Sequence, residues 1–185
     1  MTYCDFCNAL PHDTSNPNKA YHDTEYGFAQ HDDNALFERL ILEINQAGLS
    51  WTIILNKRAA FQAAYAQFNI AQVAAFDEND VARLLADTGI VRNRLKINAA
   101  IYNAQQILLL QQQYGSLKNW LDTHHPREKT AWVKLFKQHF KFVGGEIVGE
   151  FLMSLGYLDG AHDENCPIYS AAKGSLKYVK IAHNT

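Results

Sequence analysis

The sequence predicts an all-α fold, and three observations carry that expectation. Apolar residues recur at helical spacing through long proline-free stretches, strand-like alternation is nearly absent, and capping residues stand where the periodicity starts and stops. The four prolines, at 11, 17, 126 and 167, punctuate a loop-rich start, a middle turn and a loop-like end. Of 185 residues, 48% are hydrophobic and 12% aromatic, enough for a buried core and far from a disordered composition. Mean hydropathy is −0.26, and no apolar run reaches the ~18 residues of a membrane span.

Leu36, Phe37, Leu40, Ile41 and Ile44 draw one stripe on a first helix, capped by Asp32 or Asp33. A second helix is expected from Trp51 to Phe68, and a short one from Ile70 to Phe76. Another starts at Asp77, turns Val81, Leu84 and Leu85 inward, and ends at Gly89. Ile97, Ile101, Ile107 and Leu108 mark a long helix from Arg92 to Gln113, stopped by Tyr114-Gly115. Ser116 caps the next, with Leu117, Trp120 and Leu121 buried. Two more run from about Glu128 to His139 and from Gly145 to Leu155, the last closed by Gly156. Both chain ends read as loops. With no repeat, low-complexity segment or long charge block, residues 1–185 are expected to form a single globular unit, or two closely packed helical halves.

Lys plus Arg number 17 against 19 Asp plus Glu, a net charge of −2, so a polyanion site has to be a local patch. Three cysteines are too few for a disulfide framework, and the N-terminus lacks a secretory pattern, which points to a reducing cytoplasm.

Several segments could carry chemistry. Phe140-Lys141-Phe142-Val143-Gly144-Gly145 has the grammar of a helix-hairpin-helix: apolar anchors, and glycines that let backbone N–H groups approach a phosphate at the next helix N-terminus. A plain tight turn between packed helices reads the same way. Cys4-x2-Cys7 and His162-x3-Cys166 at opposite ends, with His12 and His22, offer six ligands for a tetrahedral zinc site. Spacing does not choose among them. Glu43, set among apolar residues, and Trp51 after a Gly-Leu-Ser turn could hold a flat ring by its edge and its face, or be an exposed acid beside a core indole. Tyr21 and Tyr26 offer further ring platforms, or simply anchor their loop.

These segments together resemble the bacterial 3-methyladenine DNA glycosylase I family. The matching runs are Tyr21-His22-Asp23 with Glu25 and Gly27, Glu43 with Gln46-Ala47-Gly48-Leu49-Ser50-Trp51, Gly89 to Arg94 with Lys96, Phe140 to Gly144, and His162-x3-Cys166. The chain departs from the family in having Tyr26 where members usually carry Trp, Asn18 where an aromatic is common, a shorter stretch between Tyr114 and Phe140, and an insertion from Asp13 to Asn16.

The resemblance implies a helix-hairpin-helix glycosylase fold whose termini are joined by one structural zinc on Cys4, His22, His162 and Cys166. It implies a monofunctional enzyme of base-excision repair that hydrolyses the N-glycosidic bond of 3-methyladenine. Glu43 would act on the flipped base, with Tyr21 and Trp51 as stacking walls and Tyr26 and Phe6 beside them. Lys141, Phe142, Val143, Gly144 and Gly145 would hold double-stranded DNA carrying alkylated purines, with Arg92, Arg94 and Lys96 as a second basic patch. A monomer, no membrane, no protein partner, and a bacterial cytoplasm with work at the nucleoid complete the expectation. A different class, a zinc-stapled DNA binder with weakened catalysis, and a lyase using Lys141 stand as alternatives.

Overall fold

The computed structural model describes residues 1–11 and 15–176, and among them there are helices and no strands. His12, one of the six candidate ligands, and Asp13 with Thr14 of the insertion lie outside the described residues. Among the described residues no helix is long and apolar enough to cross a membrane.

The centre is α3 (Asp33–Gln46), which packs against helices on several sides. Asp32 is its cap, its carboxylate accepting from the Ala35 N–H. The neighbouring Asp33 does a different job: its oxygens accept the N–H groups of Leu117 and Lys118 and so cap α8 (Leu117–His124) from a distance. The predicted stripe of α3, Leu36, Phe37, Leu40, Ile41 and Ile44, is fully buried in the main core. Its opposite face is buried too, although it carries Glu38, Arg39, Glu43 and Asn45. Burying charged groups is costly unless something compensates them. That polar face is where a site belongs.

The N-terminal segment covers this face. It contains two helices where the sequence suggests loops, α1 (Tyr3–Asn8) and α2 (Pro17–Thr24). Thr2 and Asp5 form a reciprocal capping box on α1, and Asn16 caps α2 with Pro17 in its first turn. Both are too short to be stable alone. They bury Cys4, Cys7, Tyr21 and His22 rather than an aliphatic stripe.

The remaining helices follow the expected order with corrected ends. Helix α4 (Trp51–Ala64), capped by Ser50, stops short of Phe68, because Ala66, Gln67 and Phe68 take the left-handed conformation at φ 51–55°. That turn lets Phe68 stack on Tyr65 at 5.6 Å with rings 2° from parallel, so burial offsets the backbone cost. After α5 (Ile70–Ala74), α6 (Glu78–Ala86) starts at the Asp77 cap and ends three residues before Gly89. Gly89 is instead a packing glycine: a Cβ there would lie 2.9 Å from the Ala60 methyl of α4. Helix α7 (Arg94–Tyr114) starts at Asn93 and stops at Gly115, φ +84°.

Helices α9 (Lys129–His139) and α10 (Gly145–Ser154) pack on each other and form the hairpin, with Phe140 and Val143 buried as its anchors. Buried Asn103 of α7 grips the turn by both edges of one residue: the Lys141 N–H donates to Asn103 Oδ1 at 2.8 Å, and Asn103 Nδ2 donates to the Lys141 carbonyl at 3.1 Å. A further helix, α11 (Tyr169–Ser175), follows in the segment that the sequence suggests is a loop.

Candidate functional site

Two features adjoin each other through Tyr26, which lines the first and whose carbonyl contacts His162 of the second. One is a cavity of about 440 Å³ lined by Tyr3, Tyr21, Tyr26, Glu43, Gln46, Trp51, Glu146 and Glu150. Tyr21 comes from α2, Glu43 from α3, Trp51 from the first turn of α4, and the two further acids from successive turns of α10.

Glu43 is only 5% exposed, and no hydrogen bond or ion pair from another described residue satisfies its carboxyl group. Burial, reinforced by the charge of Glu150 and opposed by Arg39, pushes its pKa up to about 8. Arg39 is itself committed, donating to the Ser154 carbonyl and to Glu25, with its guanidinium 5.1 Å from the Tyr21 ring centre. A buried acid with a shifted pKa and unused acceptor capacity is the mark of a functional group.

The rings stand around it. Tyr21 and Trp51 lie 5.1 Å apart, centre to centre, at 59°, and Tyr21 and Tyr26 lie 5.8 Å apart at 41°. Tyr3 meets Tyr26 edge-on at 5.5 Å. So the structure brings Tyr21, Tyr26, Glu43 and Trp51 to one cavity. Phe6 is not among its lining residues: it is 37% exposed and stacks on Tyr3 at 6.4 Å. The helical register of α1 puts Tyr3 on the cavity side instead. Sequence reasoning missed Tyr3, Glu146 and Glu150.

The second feature is a cluster of Cys4, His22, His162 and Cys166, whose ligand atoms all lie within 4.8 Å of one another. His22 Nε2 is 3.4 Å from Cys4 Sγ and 3.7 Å from Cys166 Sγ, and His162 Nδ1 is 3.6 and 3.8 Å from the same sulfurs. The outward ring nitrogens are held, His22 Nδ1 by Asp23 Oδ1 at 2.7 Å and His162 Nε2 by the Tyr26 carbonyl at 2.6 Å. Such partners fix which nitrogen faces inward. Backbone N–H of Asp163 and the Asn8 amide donate to the sulfurs. These four residues could hold a metal ion. Cys7 does not join them: its thiol is buried against the Asn18 carbonyl.

The hairpin residues lie on the surface. Lys141 and Phe142 are exposed, Val143 is buried, and a Cβ on Gly144 or Gly145 would meet nothing within 4 Å. Neither glycine is required by packing, and α10 begins without a side-chain cap. Phe142 is held at φ +60°, an unusual conformation for a bulky residue. Of the second basic patch, Arg92 and Arg94 are exposed, Arg94 paired with Glu78 at 3.3 Å. Lys96 departs from expectation: it is buried, donating to the Asn45 and Ala47 carbonyls at the end of α3.

Comparison with known proteins agrees with this geometry. A family model described as methyladenine glycosylase matches residues 12–134. DNA-3-methyladenine glycosylase 1 of Escherichia coli is 36% identical, the match covering 83% of this chain and 92% of that protein. A solved 3-methyladenine DNA glycosylase I in complex with 3-methyladenine superposes with a TM-score of 0.79 at 31% identity, over 96% of this chain and 100% of that one. The Staphylococcus aureus 3-methyladenine DNA glycosylase I gives 0.78 at 32% identity, over 91% and 96%. With the family model spanning more than half of the sequence and relatives similar over nearly their full length, the chain belongs to the methyladenine glycosylase family.

Proposed function

We propose that the protein is a monofunctional DNA glycosylase that excises 3-methyladenine from alkylated double-stranded DNA. The observation that carries this reading is Glu43: a nearly buried acid, unpaired among the described residues, facing a ring-lined cavity in a chain of this family.

The chemistry follows from the lesion. Methylation at N3 makes the base cationic, so the glycosidic bond is already weakened and the base departs as a neutral molecule. The protein has to extrude the nucleotide, at a few kcal/mol, hold the base, and admit water to the sugar. Tyr21, Trp51 and Tyr26 supply electron-rich faces to a cation. Glu43 accepts from the purine edge and, as an anion, stabilises positive charge developing on the sugar. No lysine is among the described residues lining the cavity, and the hairpin's Lys141 has its ammonium 4.1 Å from the ring centre of Tyr102 on α7, which disfavours a lyase.

Incubation with methylated DNA should release free 3-methyladenine, with no covalent adduct trapped by borohydride. The second-order excision rate should rise with pH and level off above about 8, as Glu43 ionises in the free enzyme. A protein that binds methylated DNA and releases no base would sink the reading in favour of a non-catalytic binder.

The DNA grip is assigned to the hairpin. The open space over Gly144 and Gly145 leaves backbone N–H groups at the start of α10 accessible to a phosphate, with Lys141 beside them. Lys141→Ala should weaken duplex binding with little regard to sequence and lower the magnitude of the salt slope by about 0.9. A slope unchanged in fluorescence-anisotropy titrations would remove Lys141 from the interface.

The four-residue cluster suits zinc. Bonds of ~2.3 Å to sulfur and ~2.0 Å to nitrogen place neighbouring S and N ligands of a tetrahedron about 3.5 Å apart, against 3.4–3.8 Å here. Bound there, the ion would act as a structural staple between the chain's two ends. We further read the chain as one unit and a monomer, working on nucleoid DNA in a bacterial cytoplasm, where its three cysteines stay out of disulfides.

A further inference from the structure

We propose that Glu150 is a second acidic wall of the base pocket, and that with Glu43 it makes the pocket select its occupant by positive charge as well as by shape. This rests on the glycosylase reading above. Both acids line the same cavity, from different helices, and Glu146 joins them one turn before Glu150.

The countercharges around the pair are few. Glu150 accepts a hydrogen bond from the Tyr26 hydroxyl at 3.3 Å, a neutral donor. Lys129 pairs with Glu146 at 3.4 Å, through exposed side chains. Arg39, near Glu43, is tied to Glu25 and Ser154. Burial, with Glu146 adding to it and Tyr26 and Lys129 opposing, raises the Glu150 pKa, and the Glu150 charge in turn raises that of Glu43. The two carboxyl groups therefore compete to stay neutral when nothing lies between them. A cationic base relieves both at once. An uncharged base of the same outline leaves the half-buried Glu150 carboxylate facing the pocket with no cation there. The pocket thus carries a penalty against neutral purines, which adds to the preference of its electron-rich rings for a cation.

The test compares the wild type, Glu150→Gln and Glu150→Asp. One readout is the single-turnover excision rate on a duplex with 3-methyladenine, whose nucleotide is cationic. The other is the dissociation constant for a duplex carrying 3-deaza-3-methyladenine, a neutral isostere. Glu150→Gln should slow excision about tenfold or more while holding the neutral duplex equally well or more tightly. Glu150→Asp, which keeps the charge, should stay near wild type on the ratio of the two readouts. Equal losses on both duplexes in Glu150→Gln, or loss of the ratio in Glu150→Asp, would mean a structural role and overturn the proposal. So would an unchanged excision rate in Glu150→Gln. A wild type that releases no 3-methyladenine would remove the glycosylase reading and this proposal with it, whereas an active wild type beside an indifferent Glu150→Gln removes this proposal alone.

Discussion

Glu43→Gln is expected to lower single-turnover excision of 3-methyladenine by a hundredfold or more and, in the same protein, to raise the melting temperature. The first effect follows from losing the anion that faces the base and sugar, in a water-poor pocket where one such interaction is worth ~2.7–4 kcal/mol. The second follows from the cost of ionising a buried acid. The folded pKa is raised from 4.5 to about 8, so the protonated carboxyl favours the fold at low pH and that advantage disappears as pH rises through about 8. At pH 8 the penalty is about 4 kcal/mol, and the neutral Gln avoids it. For a chain of this size that corresponds to roughly 8–16 °C in melting temperature. Calorimetry at pH 5 and pH 8 checks the sign, since the gain should appear at pH 8 and largely vanish at pH 5. A variant that loses excision because it unfolds would refute the assignment.

Chelating the proposed zinc, or replacing Cys166 with Ser, should cost stability and base recognition together. A ligand present at a thousandfold over its dissociation constant contributes about 4 kcal/mol to the folded state, or on the order of 10 °C here. The damage should reach the cavity because two of its lining residues touch the cluster. The Tyr26 carbonyl receives the His162 ring hydrogen bond, and α1 carries Cys4 and Tyr3 on adjacent positions. Melting with and without a chelator, with zinc restored afterwards, measures the first effect, and excision under the same conditions measures the second. A melting temperature indifferent to chelator, in protein containing no zinc by elemental analysis, would rule the staple out.

Much of the helical frame was legible because ordinary forces build it. The stripe on α3, the Ser116 and Asp77 caps, and the glycines after α7 and α10 are local signals of local structure. Helices α1, α2 and α11 were not legible, since α1 and α2 bury cysteines, a tyrosine and a histidine and α11 buries Ala172, which leaves these six- to eight-residue helices no aliphatic period to read. The Thr2-x2-Asp5 capping box and the Asn16-Pro17 start were there as weaker cues. Glu43 stood out as an acid within an apolar run, whereas Glu146 and Glu150, four apart on one helix, have the spacing of any solvent-facing surface and give no such signal. Only tertiary packing turns that face toward a cavity. Choosing four ligands from six needed the family resemblance, and the structure gathers those same four, Cys4, His22, His162 and Cys166.

The clasp of Asn103 on Lys141 has a geometric consequence. It fastens the hairpin to α7, while Lys96 of the same helix is moored to the carbonyls that end α3, a few residues beyond Glu43. One rigid rod therefore sets the span between the surface that would grasp a phosphate and the chamber that would admit a purine. An enzyme built on such a gauge reaches a fixed distance along the strand, and a nucleotide must swing through that one arc to be read at all.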